Sequence, residues 1–233
     1  MKILALDTST LSGSVAVTDD GDVLAEVTAR VRATHSEQIL ALVDRALQLA
    51  GFTLRDIHRL AVDLGPGSFT GVRIGLSTAK GLQLGTGLDL YGVSSLDVLA
   101  ASAWGARGHL LTALDARRDE VYAGLYHAEG STRAAALKAL HGLPEAVGQR
   151  ITEAVPAGDI TVVGDLDDAL FRRLSSPSPG RFVRAPRAAA TPLARYVAWE
   201  VHAGRGVLDR GDLEPEYVRG SDAKLPGGRG VGA

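Results

Sequence analysis

The chain has 233 residues, of which 45% are hydrophobic and 22% are charged, as in a soluble globular protein with one large or two small domains. The net charge of −2 argues against broad electrostatic binding to a nucleic-acid backbone, and the lack of cysteines excludes disulfides, thiolate metal sites and a cysteine nucleophile. The N-terminus lacks the pattern of a secretory signal, and no apolar run approaches the roughly 20 residues of a membrane helix. We therefore expect a cytoplasmic protein without a membrane segment.

The first part of the chain predicts a meander followed by alternating helices and strands. Strands are expected at 3–7, 14–18, 23–30, 60–64 and 90–93, and helices at 36–50, 72–84 and 95–103. Thr34 and Glu37 form a predicted capping box, and Ser94 and Ser95 are the predicted caps of the third helix. Three strands, helix, strand, helix, strand, helix is the order of an RNase H-like domain with a mixed sheet.

The same order partly repeats after a boundary near residue 105. Strands are expected at 109–114, 120–126, 134–139 and 160–163, and helices at 143–153, 165–174 and 191–203. We interpret the chain as an α/β protein with two RNase H-like subdomains, one over 1–105 and a reduced one over 106–219. Helix 191–203 is a candidate to pack back on the first subdomain, and 220–233 is expected to be a flexible tail.

The glycine-rich segment 65–71 invites comparison with phosphate-binding loops. It lacks the Gly-Lys of a Walker loop, and Thr70 stands where the dinucleotide pattern needs glycine. Free amides at Gly71, which opens a helix, still leave anion binding as an alternative. The favoured interpretation is a tight turn made by Gly65 and Gly67.

Two features of the helices suggest a surface for a partner protein. Gly71, Gly75 and Ala79 are spaced by four and share one helix face, although helical glycine costs about 1 kcal/mol. This row either packs on its own sheet or admits a partner helix. Helix 36–50 has an apolar stripe wider than one sheet requires, so the two helices together predict an exposed apolar face.

Signals for catalysis are weak. No two histidines lie four apart on a helix, and no serine stands in a nucleophile elbow, so neither a zinc site nor a serine hydrolase is predicted. Asp7, with Thr8 and Ser9, is the one candidate for binding magnesium or a phosphate in an interdomain cleft. Capping of its own turn by Asp7 is slightly favoured.

Several segments together resemble one family. They are Ile3-Leu4-Ala5-Leu6-Asp7-Thr8-Ser9-Thr10, His35-Ser36-Glu37-Gln38-Ile39-Leu40, Gly65-Pro66-Gly67-Ser68-Phe69-Thr70-Gly71-Val72-Arg73-Ile74-Gly75, Ala79-Lys80-Gly81-Leu82, Ser94-Ser95-Leu96, Asp115-Ala116-Arg117 with Glu120-Val121-Tyr122, and Pro215-Glu216-Tyr217-Val218-Arg219. The chain is similar in these to the TsaB family, also called YeaZ. Gly164-Asp165-Leu166 departs from the family's Gly-Asp-Gly, which weakens any phosphate-binding role there.

The resemblance implies an actin-like ATPase fold and a non-catalytic dimerisation subunit without a cofactor. It implies a homodimer when the chain is alone, a heterodimer with the catalytic paralogue TsaD, a ternary complex with the ATPase TsaE, and indirect contact with the tRNA in which threonylcarbamoyladenosine is made. The paralogue's helical His-x-x-x-His metal motif is missing here. The interface residues implied on helices 36–50 and 71–84 are Ser36, Glu37, Ile39, Leu40, Val43, Leu47, Gly71, Arg73, Ile74, Gly75, Thr78 and Leu82.

One rival hypothesis belongs to a different class. Asp7 and the expected cleft also suit a stand-alone ATP-binding, kinase-like enzyme, and older family labels suggest a peptidase. Magnesium and ATP binding that depends on Asp7 would favour this rival.

Overall fold

A computed structural model describes residues 1–10, 12–30, 35–103, 105–130, 132–185, 194–216 and 218, with the side chains of 35–37 and 132–133 outside the description. The predicted capping box at Thr34 and Glu37, the first residues of helix 191–203 and the tail over 220–233 therefore lie outside the described residues. The candidate interface side chains Ser36 and Glu37 do so as well.

The first lobe is a mixed sheet with helices on both faces. Its elements are β1 (Lys2–Asp7), β2 (Ser12–Asp19), β3 (Asp22–Arg30), α1 (His35–Ala50), β4 (Arg59–Asp63), α2 (Phe69–Thr86), β5 (Asp89–Val93), α3 (Ser95–Ser102) and the late strand β11 (Val207–Leu208). The strand order is β11-β5-β4-β1-β2-β3, in which β1, β4 and β5 are parallel and β2, β3 and β11 join antiparallel. The carboxyl ends of β1, β4 and β5 therefore meet at one edge, where ligands of open α/β sheets bind.

The second lobe repeats this topology with shorter elements. It contains β6 (Arg107–Arg117), β7 (Glu120–Glu129), β8 (Thr132–Gly142), α4 (Pro144–Ala154), β9 (Ile160–Val163), α5 (Asp168–Ser175), β10 (Phe182–Arg184) and α6 (Ala194–His202). Its strand order, β10-β9-β6-β7-β8, matches that of the first lobe, with β9 parallel to β6 and β10 parallel to β9. Strands β9 and β10 have only four and three residues.

Three apolar cores join these layers. One lies under α1 and α2 on the first sheet, and another lies under α4 and α5 on the second. The third lies between the lobes, where α6 packs on the first sheet through Val197, Ala198 and Val201 and α3 contacts β6 and β7 of the second. The last helix of each half, α3 or α6, thus packs against the sheet of the other lobe. None of the helices in the described ranges is both long and apolar enough to cross a bilayer.

Candidate functional site

The glycine-rich turn is fixed by the end of β1. Gly65 has a φ of 91°, which glycine adopts readily. The Ser68 amide donates to the Ser9 carbonyl at 2.7 Å, and the Ser68 hydroxyl accepts from the Gly71 amide at 3.2 Å as the cap of α2. The tight-turn interpretation is confirmed, and the Gly71 amide offered for anion binding is used inside the chain.

The glycine row of α2 faces the protein's own sheet. A Cβ at Gly71 would lie 2.1 Å from the Thr8 carbonyl oxygen, and one at Gly75 would lie 2.3 Å from Thr8 Oγ1. The Thr8 hydroxyl donates to the Gly71 carbonyl at 2.7 Å, and Ala79 is fully buried. Of the two interpretations of this row, the structure confirms packing on the chain's own sheet. Thr8, directly after β1, covers Gly71 and Gly75, so their small size is already explained inside the chain, and their assignment to a partner surface stays a prediction.

The regular stripe of α1 also points inward. Ile39, Val43 and Leu47 are 1%, 2% and 6% exposed and lie in the core under the two helices. Residues spaced by four share one face of a helix, and here that face covers the sheet. These three side chains therefore serve the chain's own core, and their assignment to the interface stays a prediction.

The apolar residues left over from that stripe form an outer face. We define the outer face as the solvent-exposed sides of the neighbouring helices α1 and α2. Leu40 and Leu49 on α1 are 51% and 54% exposed, and Phe69 and Leu84 on α2 are 56% and 89% exposed. The apolar stripe of α1 is thus wider than the face that packs in the core, and its remaining leucines are exposed to solvent.

The outer face includes a shallow groove along the first turns of α2. The groove has a volume of about 340 Å³ and is lined by Phe69, Thr70, Arg73, Ile74, Ser77 and Thr78. The Arg73 guanidinium lies over the Phe69 ring, 3.7 Å from its centroid. Leu82, like Ile74 and Thr78, is half-buried. Leu40, Arg73, Ile74, Thr78 and Leu82 are therefore the predicted interface residues that solvent reaches.

A second row of small residues was missed in the sequence. Ser77, Gly81 and Gly85 are spaced by four and are all exposed on the outer side of α2. A Cβ at Gly81 or Gly85 would meet nothing within 4 Å. These glycines therefore weaken the helix without any packing reason among the described residues. The four-residue spacing of Gly81 and Gly85 was a visible signal, but only the row of Gly71, Gly75 and Ala79 was interpreted.

The carboxyl ends of β1 and β4 bring two aspartates together. Asp7 Oδ1 accepts from the Ser9 amide at 2.9 Å and from the Ser9 hydroxyl at 2.6 Å, so Asp7 caps its own turn as slightly favoured. Asp63 Oδ1 accepts from the Gly65 amide at 2.7 Å and from the Ser95 hydroxyl. Both carboxyls are only 1% exposed.

These carboxyls lie close together. Asp63 Oδ2 has no hydrogen-bond partner among the described residues, and a protonated Asp63 can donate to Asp7, which favours the ionised form of Asp7. Burial raises the pKa of Asp7 to about 6, against the opposing effect of the Ser9 hydrogen bonds. Burial, and then the charge of Asp7, raises the pKa of Asp63 well above its usual range. Sequence analysis missed Asp63, although a lone carboxylate in the apolar run 60–64 was a visible signal.

The predicted caps of α3 have other roles. Ser94 is the N-cap residue of α3, as predicted, but its side chain makes no capping bond to the helix. The Ser95 hydroxyl donates to Asp63, and the Ser94 side chain hydrogen-bonds the carboxyl of Glu216. The buried carboxyls compete for these hydroxyls more strongly than the helix amides do, because an unpaired buried carboxyl costs more free energy.

We call Asp7, Asp63, Ser94, Ser95 and Glu216 the strand-end cluster. Among the residues that the structure describes, no three His, Asp or Glu side chains are arranged as metal ligands. The cluster's hydroxyls and amides are bound to its own carboxyls. Its arrangement suits a neutralised structural contact better than a cation site.

Comparison with known proteins places the chain. The family profile "TsaD: tRNA N6-adenosine threonylcarbamoyltransferase" matches residues 11–161. The tRNA threonylcarbamoyladenosine biosynthesis protein TsaB of Escherichia coli is 41% identical over 174 residues, which are 70% of this chain and 71% of that protein. Other curated relatives of that name are matched over 52% to 60% of their own length.

Solved structures agree. YeaZ from Pseudomonas aeruginosa has a TM-score of 0.72 and 31% identity, covering 88% of this chain and 94% of that one. Component A of the Acidaminococcus fermentans (R)-2-hydroxyglutaryl-CoA dehydratase shares the fold alone, with a TM-score of 0.53 and 11% identity over 88% of this chain and 99% of that one. The predicted actin-like ATPase fold with two RNase H-like subdomains is confirmed. On identity, coverage and fold, the chain belongs to the TsaB (YeaZ) family of tRNA threonylcarbamoyladenosine biosynthesis proteins.

Proposed function

We propose that the chain is a non-catalytic scaffold subunit in cytoplasmic tRNA threonylcarbamoyladenosine synthesis, and that its outer face binds the catalytic paralogue TsaD. The small ATPase TsaE joins this pair, and tRNA is reached through the partners. When TsaD is missing, the same face pairs two copies of the chain.

The carrying observation is the exposed apolar surface of two neighbouring helices. Leu40, Leu49, Phe69 and Leu84 are each more than half exposed, and the groove lies beside Phe69. Exposed large apolar side chains are typical of protein-binding surfaces, and a standard interface needs about 800 Å² from each partner. The outer face presents such residues on both helices.

The outer glycines support the same proposal. The inner glycines Gly71 and Gly75 have an evident reason inside the chain, because Thr8 leaves no room for a Cβ. Gly81 and Gly85 have open space around them, and each costs about 1 kcal/mol of helix stability relative to alanine. A partner helix that approaches closely over Ser77, Gly81 and Gly85 explains why they are small.

The test places one charge on each helix. Leu40→Asp and Leu84→Asp are exposed substitutions, so the isolated chain should fold normally. We expect each to abolish co-purification with TsaD, to convert the homodimer to a monomer in light scattering, and to lower threonylcarbamoyladenosine in tRNA from a complemented strain. Gly81→Leu should act likewise by blocking close approach.

The matched control is Leu143→Asp, because Leu143 is 52% exposed but lies on the second lobe. It should keep the dimer, the TsaD complex and the modification. If the Leu40 and Leu84 variants still bind TsaD as the wild type does, the outer face is not the binding surface and the proposal fails.

A further inference from the structure

The segment over residues 209–216 is anchored at the first lobe. The Asp209 amide donates to the Leu90 carbonyl at 2.8 Å, which extends the pairing of β11 with β5. Asp209 Oδ1 then accepts from the Gly211 and Leu213 amides at 2.8 and 3.1 Å, so the chain turns back. Leu213 enters the core under α1 and α2 and is 6% exposed. The segment is thus held by one strand, one turn and one apolar side chain.

From this anchor the segment reaches the strand-end cluster. The Glu216 amide donates to the Leu64 carbonyl at 2.7 Å, directly after β4. A Cβ at Gly65 would lie 3.6 Å from the Glu216 carbonyl oxygen, so the two backbones are nearly in contact. The segment therefore covers the turn that follows β4, at the edge where parallel strands end.

The Glu216 carboxyl faces groups from both lobes. It hydrogen-bonds Ser94 on the first lobe, and its charge acts on Asp63 there. From the second lobe, Lys138 on β8 lowers the pKa of Glu216, and the charge of Glu216 raises the pKa of Tyr126 on β7. Burial raises the pKa of Glu216, with Asp97 of α3 also raising it and Lys138 opposing.

Asp97 completes the contact between the lobes. The Tyr126 hydroxyl donates to Asp97 at 2.8 Å, and the Lys138 ammonium lies 3.6 Å from the same carboxylate. Lys138 is thus already paired with Asp97, and Glu216 adds a second carboxyl near it.

An actin-like ATPase fold implies a nucleotide at this edge between the lobes, and the residues present do not fit one. Bound phosphates need cations or free amides, since several negative charges must be balanced. Here Glu216 brings a carboxylate to the edge, and the Gly71 amide at the start of α2 is taken by Ser68. The segment that carries Glu216 therefore covers the turn after β4 and adds a carboxyl there that would repel phosphates.

We infer that residues 209–216 act as an intramolecular strap that closes the strand-end edge to nucleotides, with Leu213 as its anchor and Glu216 as its blocking group. This goes beyond the proposed scaffold role and does not depend on it. The strap makes one segment the removable barrier to nucleotides, and releasing that segment opens the edge.

The experiment uses the full chain and Mg-ATP as the probe. Isothermal titration is run on the wild type, Glu216→Ala and Leu213→Ala/Glu216→Ala, alongside amide hydrogen exchange over residues 64–68. We expect no binding to the wild type, measurable binding by the double variant, and about tenfold weaker binding by Glu216→Ala. Exchange at 64–68 should accelerate in the same order.

The matched control is Glu214→Ala, which removes an exposed carboxylate from the same segment. It should neither bind Mg-ATP nor change the exchange. Glu216→Ala keeps the apolar anchor, so it remains informative if the double variant unfolds in circular dichroism. Binding of Mg-ATP by the wild type overturns the inference, and so does a folded variant with accelerated exchange that takes up no Mg-ATP.

Discussion

Replacing Asp63 by asparagine should stabilise the protein at neutral pH. In the wild type the buried carboxyls of Asp7 and Asp63 lie close together, so ionisation of both leaves like charges side by side. In Asp63→Asn the side-chain oxygen keeps the bonds from the Gly65 amide and the Ser95 hydroxyl. The new amide nitrogen donates to an ionised Asp7, so no proton is required.

The sign follows from the pKa of Asp63, the carboxyl that the substitution removes. A carboxyl with a raised pKa in the folded state binds its proton more tightly there, so its contribution to stability is full below the unfolded pKa and is lost as pH rises. Burial, and then the charge of Asp7, raises the pKa of Asp63 well above its ordinary value of 3.8. Burial of Asp7, which raises the pKa of Asp7 to about 6, is common to both proteins. Each unit by which the pKa of Asp63 is raised corresponds to about 1.4 kcal/mol.

The assay is urea unfolding of both proteins between pH 4 and 8. We expect similar free energies of unfolding at pH 4 and an advantage for Asp63→Asn that grows to more than about 1.4 kcal/mol by pH 7, or roughly 3–6 °C in Tm. Other carboxyls contribute equally to both proteins and cancel in the difference.

Asp56→Asn serves as a control of opposite sign. Its carboxylate accepts from the Thr53 amide at 2.8 Å, and this bond lowers the pKa of Asp56, so that variant should lose relative stability as pH rises. A stability difference between wild type and Asp63→Asn that does not vary from pH 4 to 8 would refute the raised pKa of Asp63.

Two further changes test the packing and the ion pairs. Gly75→Ala should lower the free energy of unfolding in urea by about 1–3 kcal/mol, because its Cβ would lie 2.3 Å from Thr8 Oγ1. Gly85→Ala should raise it by about 1 kcal/mol in the isolated chain, because nothing lies within 4 Å of its Cβ. Equal effects would contradict the distinction between the inner and outer glycines of α2. Arg205→Ala should cost about 2 kcal/mol, because it removes the cation that the Glu200 carboxylate binds at 2.6 and 2.7 Å. Glu200 is 5% exposed, and solvent near the half-exposed Arg205 reduces the effect. A melting temperature unchanged by Arg205→Ala would contradict this.

Periodicity predicted the long elements of the fold because each has an uninterrupted apolar pattern. The strand expected at 3–7 is Lys2–Asp7, and the helix expected at 36–50 is His35–Ala50. The alanine-rich strand expected at 134–139 is also present, within Thr132–Gly142, because pairing with β7 outweighs its weak intrinsic propensity. Strands of two or three residues, β10 and β11, were missed because so short a run has no period to read.

The candidate sites were harder to predict because a sequence does not show which elements meet. Asp7 was found as a carboxylate after a strand, but its partner Asp63 lies on a strand far along the chain that only the parallel pairing of β1 with β4 brings alongside. Glu216 was noticed as part of a motif, but its place at the strand ends depends on the late return of the chain to Leu64.

Helix α2 shows why spacing alone could not distinguish a core face from a docking face. Gly71–Gly75 and Gly81–Gly85 have the same four-residue spacing, and the difference lies in what stands opposite: Thr8 leaves no space for a Cβ at the first pair, while nothing lies within 4 Å at the second. A glycine that its own fold requires says nothing about partners. A helical glycine that its own fold does not require is destabilising unless something outside the chain uses the space. The evidence for a docking surface on α2 therefore rests on the outer pair, which the sequence analysis passed over.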